Sequence, residues 1–101
     1  MIYITQLIYI KEGQEDIFNE FESHAIPIIS NYNGELTLRI RPEADAFIEI
    51  GSIERPYEIH LVSFKTEADF SAFLKDEERN KFLHLKEQSI KVSILIKGEE
   101  L

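Results

Sequence analysis

The segment IYITQLIYI, residues 2–10, constrains the fold more than any other part of the chain. Its β-branched and aromatic residues predict a strand, in which Ile2, Ile4, Gln6 and Ile8 share one face and Tyr3, Thr5, Leu7 and Tyr9 the other. Both rows are largely apolar. A strand with one wet face alternates apolar with polar side chains, so this one needs cover above and below. The rest of the chain, or a second copy of it, has to supply two layers.

The first layer is readable as helices. Lys11-Glu12-Gly13 predicts a turn, and the spacing of Ile17, Phe18, Phe21, Ala25, Ile28 and Ile29 predicts a helix from Gln14 to Tyr32 with one apolar stripe. Glu15 and Asp16 suit its positive end. Pro27 falls inside this helix on the side away from the stripe and predicts a bend, and Asn33-Gly34 predicts its end, with Gly34 at positive φ. A second strand is expected over Glu35–Arg41 and a third over Tyr57–Lys65. Thr66-Glu67-Ala68-Asp69 has the spacing of a cap, with the Thr66 hydroxyl accepting from the Asp69 amide, and opens a helix whose buried side is Phe70, Phe73 and Leu74. Asp76 caps a further helical segment holding Phe82 and Leu85; residues 90–97 form the last strand, and the tail from Gly98 is expected to fray. Residues 43–56 make a long loop, or an extra strand over Ala46–Ile50, that carries Phe47, Ile48, Ile50 and Ile53 and is expected to pack on a neighbour.

At 101 residues this is one domain, residues 1–101, with the order strand, helix, strand, strand, helix, strand. Right-handed crossovers turn that order into an α+β, ferredoxin-like βαββαβ fold: a four-stranded antiparallel sheet, first and third strands central, with helices on one face. One register places Ile2, Ile4, Ile8, Leu36, Leu38, Ile40, Ile59, Leu61, Val92, Ile94 and Ile96 under the helices. The far face would then carry Tyr3, Thr5, Leu7, Tyr9, Arg39, Arg41, Glu58, His60, Val62, Phe64, Ser93 and Leu95. That face is too apolar for water, and the expected cover is the same surface of a second chain, giving a homodimer.

Composition removes other partners. A net charge of -8 opposes a phosphate backbone, so no nucleic acid is expected, and without cysteine there is no disulfide, thiolate metal site or cysteine nucleophile. The first nine apolar residues are too short for a membrane span and lack a basic flank, so the expected location is the cytoplasm, away from membranes.

Two stretches carry a resemblance. HAIPIISNYNGEL at 24–36 and ERPYEIHLVSFKTEADFSAFLKDEERNKFL at 54–83, with the closing strand that ends at Gly98, are similar to a small uncharacterised domain family of the dimeric α/β-barrel superfamily. The family's usual double glycine after the helix is Asn33-Gly34 here. The resemblance implies a ferredoxin-like protomer and a homodimeric barrel; the superfamily also includes antibiotic-biosynthesis monooxygenases, muconolactone isomerases and haem-dependent enzymes.

Candidate chemistry is sparse. Glu58 and His60 are two apart on the third strand, hence neighbours on one face, and a carboxylate beside an imidazole is a proton-transfer pair. The structural alternative pairs Glu58 with Arg39 or Arg41 and puts His60 into a polar gap of the dimer interface. A rival set, Gln6, His24 and Ser63, is expected between sheet and helices, where polar groups need partners or a ligand; superfamily enzymes that this fold resembles hold substrate there. Tyr3, Tyr9 and Arg39 complete the candidate ligand contacts. Glu20 and His24 have the spacing of two metal ligands but no third, so neither metal nor cofactor is expected. The function expected is binding of a small, partly apolar molecule, the alternatives being a cofactor-independent monooxygenase or isomerase and a noncatalytic oligomerisation module.

Overall fold

The computed structural model describes residues 1–45 and 54–101. The arm expected over Ala46–Ile50 lies outside the described residues. Four strands, β1 (Ile2–Ile10), β2 (Gly34–Ile40), β3 (Glu58–Phe64) and β4 (Ile90–Glu99), form one antiparallel sheet in the order β2-β3-β1-β4. The central pair is β1 and β3, as the ferredoxin-like order requires. Helices α1 (Glu15–Ile29), α2 (Glu67–Leu74), α3 (Glu77–Lys81) and α4 (Leu83–Ser89) cover one side of it.

The local signals explain most boundaries. Gly13, at φ 79°, makes the turn after β1 in the left-handed region that glycine enters without cost. Thr66 caps α2 by accepting from the Asp69 amide at 3.1 Å, and Asp76 caps α3 by accepting from Arg79 N at 2.8 Å. Pro27 is exposed, on the side of α1 away from the core. After α1 a 3-10 turn, Ser30–Tyr32, leads to Asn33, and it is Asn33, not Gly34, that takes the positive φ of 56°. Gly34 is required for a different reason: a Cβ there would lie 2.6 Å from the Phe64 ring and 2.7 Å from Ile29. The C-terminal tail does not fray at Gly98, because Gly98 and Glu99 pair with Tyr3 and Ile2 and extend β4.

The two faces of the sheet differ from the register expected. Residues directly opposite in an antiparallel ladder share a face, and the pairs are Ile4 with Val62, Gln6 with His60 and Ile8 with Glu58. Ile4, Val62 and Phe64 pack with Ile28, Ile29 and Phe73 of the helices, so Glu58, His60, Val62 and Phe64 lie under the helices and not on the far face. β4 is reversed in the same way: Ser93 and Leu95 stand opposite Ile8 and Gln6, which puts Val92, Ile94 and Ile96 outside. In β2 the register shifts between Leu36 and Leu38; Leu36 stays inside opposite Val62, while Leu38 and Ile40 turn outward opposite Leu61 and Ile59. Arg39 and Arg41 thereby turn inward.

The reason is size and aromatic packing. Phe64 is 1% exposed and packs against Phe70 and Phe73 with ring centroids 5.4 and 5.5 Å apart, a burial that the alternative row of Ile59, Leu61 and Ser63 cannot match. A one-residue slip moves a whole strand's side chains to the other face, so this packing carries Glu58 and His60 inward with it.

Candidate functional site

Burying Glu58 alone would be costly, and its surroundings show how the fold tolerates it. The carboxylate is 1% exposed and meets three donors. Arg39 Nε donates to Oε2 at 2.8 Å, Arg41 Nε donates to Oε1 at 2.9 Å, and His60 Nε2 contacts Oε2. Arg41 is itself fixed by donating to Asn19 Oδ1 on α1 at 2.6 Å and by lying over the Tyr57 ring. Burial pushes the Glu58 carboxyl up, but the hydrogen bonds from His60, Arg39 and Arg41 together outweigh it and hold the carboxyl down at about 2.

The other side of His60 opens on a cavity of about 100 Å³ between sheet and helices. Its sheet wall is Ile4, Gln6, His60, Val62, Phe64 and Leu95; its helix wall includes Phe21, Glu22, Ala25 and Ile29 of α1, Phe70, Phe73 and Leu74 of α2, Arg79 of α3 and Lys86 of α4. Leu74 and Leu95 are 41% and 48% exposed and mark its mouth. Gln6 is steadied by donating to Ser93 Oγ at 2.9 Å. Glu22 is buried, and burial raises its pKa; His60, Arg39 and Arg79 pull it back in part. The cavity lining thus combines apolar side chains with a few ionisable groups.

The candidates named from sequence separate. His60, Glu58, Arg39 and Gln6 meet at or beside the cavity, although Arg39 is engaged by Glu58. His24 does not reach it: its ring stacks flat on Phe82, centroids 3.7 Å apart. Ser63 is opposite Tyr3 on the far face, so the expected cluster of Gln6, His24 and Ser63 does not form. Tyr3 is on that far face as well, and Tyr9 donates its hydroxyl to the Glu54 carbonyl at 2.8 Å. The pairing of Glu58 with Arg39 and Arg41 is as expected, but it lies in the protomer interior.

Three cavity residues escaped the sequence reading. Glu22 had a signal, because it lies within the stripe formed by Phe18, Phe21 and Ala25, where a solvated acid does not belong. Arg79 and Lys86 had none, since their burial comes from how α3 and α4 fold back over α1.

No family model matches this sequence, and no curated protein matches it. Solved structures do. A protein of unknown function from Rhodopseudomonas palustris superposes with a TM-score of 0.85 at 14% identity, over 99% of this chain and 82% of that one. A NIPSNAP family protein of unknown function from Agrobacterium tumefaciens gives 0.68 at 19% identity, over 97% and 86%. An antibiotic biosynthesis monooxygenase gives 0.73 at 8% identity, over 100% and 99%. At such identities the likeness is one of fold alone, the α+β, ferredoxin-like fold with a four-stranded antiparallel sheet.

Proposed function

We propose that this protein is a homodimer in which each protomer holds one small, partly apolar molecule between sheet and helices. The observation that carries this reading is the cavity that opens on His60. A domain used only for packing would surround that ring with neighbours and leave no void. Here the lining joins the apolar Ile4, Val62, Phe64 and Phe73 to the polar His60, Gln6, Glu22 and Arg79.

Homodimerisation is proposed from the opposite face of the sheet. Leu38, Ile40, Val92, Ile94 and Ile96 are between 39% and 55% exposed in the single chain. Leu7, Ile59 and Leu61 lie among them. Covering the exposed half of each such side chain contributes roughly 1 kcal/mol, and a sheet face of this kind can pair with its own copy across a two-fold axis. Removal of the His60 ring separates the two roles. His60→Ala is expected to keep the dimer, measured by sedimentation, while binding of small apolar probes weakens at least tenfold; loss of the dimer with binding intact would reverse the assignment.

A second reading has its own observation. In the tautomer that carries its proton on Nε2, the nitrogen in contact with Glu58, Nδ1 is the acceptor, which suits cofactor-independent proton abstraction beside a carbonyl. Deuterium incorporation from heavy water into small ketones, abolished in His60→Ala, would support an isomerase-like activity. Unchanged background exchange in both proteins would leave a binding protein.

A further inference from the structure

Arg79 enters the cavity from α3, between two features that bury it. Its guanidinium lies over the Phe73 ring, 5.0 Å from the centroid, and only 9% of the residue is exposed. Nη1 reaches the Leu74 carbonyl at 3.5 Å, a long contact at the limit of a hydrogen bond. Nε is buried and, among the described residues, has no hydrogen-bond partner. A guanidinium stays protonated in proteins, and a buried N–H left without an acceptor is a rare and costly feature in a folded chain. Nε belongs to the edge of the fork that clasps carboxylates.

The charge balance around it has the same sense. Lys86 lines the same cavity as a second cation. The Glu58 carboxylate is already engaged by Arg39, Arg41 and His60. The carboxylates of Glu22 and Asp76 lie close enough to favour the Arg79 charge, but neither makes an ion pair with its guanidinium among the described residues. What the guanidinium lacks, among the described residues, is a carboxylate within hydrogen-bond distance of its Nε.

We infer that the cavity takes a short carboxylate whose carboxyl group is clasped by Arg79 while its carbon chain lies against the apolar lining that includes Ile4 and Val62. This inference rests on the reading of the cavity as a ligand site. Size narrows the class further: the cavity of about 100 Å³ is smaller than the ~150 Å³ void known to admit benzene, so the acid has about four or five non-hydrogen atoms.

The test compares propionate with its neutral isostere propanamide by calorimetry and by amide-resolved NMR, in buffer free of other carboxylates. The wild-type protein is expected to bind propionate ten- to a hundredfold more tightly than propanamide, with shifts at Ile4, His60 and Arg79. Arg79→Met, close in shape but without N–H groups, is expected to lose that preference while still binding propanamide. Equal binding of the two compounds by the wild type would overturn the carboxylate inference and leave the cavity as a neutral-ligand site, and needs no variant to fold. A preference that survives in Arg79→Met would also overturn it. Failure of both compounds to bind at millimolar concentration would remove the ligand site and this inference together.

Discussion

The two faces of the one sheet divide the chemistry in an unusual way. Under the helices β3 presents Glu58 and His60, tied to Arg39 and Arg41 and set beside Gln6; on the open side it presents Ile59 and Leu61, flanked by Leu38, Ile40, Ile94 and Ile96. A sheet with one solvated face ordinarily does the reverse, apolar inward and polar outward. The protomer measures 36 × 35 × 16 Å, thin enough for only one sheet and one helical layer. Each face is therefore incomplete in its own manner: the inner one by a cavity lined by a guanidinium whose Nε has no hydrogen-bond partner among the described residues, the outer one by uncovered side chains.

Breaking the inner face has the largest expected consequence. Glu58→Ala leaves the buried His60 ring and the half-exposed guanidinium groups of Arg39 and Arg41 without their shared carboxylate, and is expected to cost about 3 kcal/mol in urea unfolding. Breaking the outer face comes next. Leu61→Asp puts a carboxylate in the middle of the apolar row, and is expected to weaken dimerisation at least a hundredfold by sedimentation equilibrium, about 2.7 kcal/mol, with the protomer's helical signal retained. The third test is acid. The fold favours the ionised form of Glu58, held at about 2 against an ordinary 4.5, so its contribution is complete above about pH 4.5 and is lost as pH falls toward 2. Thermal melts should fall over that window by an amount on the order of 2 kcal/mol, and Glu58→Gln should flatten the dependence.

The smallest effect concerns Glu22 and has the opposite sign. Its carboxyl is pushed up by burial, so its contribution to stability is present at low pH and declines as pH rises through the folded value. Glu22→Gln is expected to raise the melting temperature at pH 8 and to leave it unchanged at pH 4. A loss of stability at pH 8 would mean that Glu22 is a needed counter-ion of Arg79, and would weaken the contrast between the two faces.

The order of elements was legible in the sequence because helical and strand periods alternate cleanly between capping signals such as Thr66 and Asp76. The faces of β1 were legible too, since Gln6 interrupts one row and Thr5 the other. Those of β3 and β4 were not: Val62 and Phe64 are as apolar as Ile59 and Leu61, so pattern alone could seat either row on the helices. The choice was made by aromatic packing of Phe64 with Phe70 and Phe73, which no strand pattern encodes. The shift in β2 at Thr37 has no glycine or proline to announce it. For the site, Glu58 and His60 were conspicuous as ionisable groups in an apolar strand, whereas Arg79 looked like any exposed arginine of a short helix until tertiary packing closed over it.

The central claim is that the ionisable row of β3 faces the helices of its own protomer and the apolar row faces a second copy. An isotope-filtered NOE experiment on a dimer mixed from labelled and unlabelled chains tests both halves at once. Intermolecular cross-peaks are predicted at the methyls of Leu61 and Ile94, with the His60 ring showing only intramolecular contacts to α1. Intermolecular cross-peaks at His60, with none at Leu61, would contradict it.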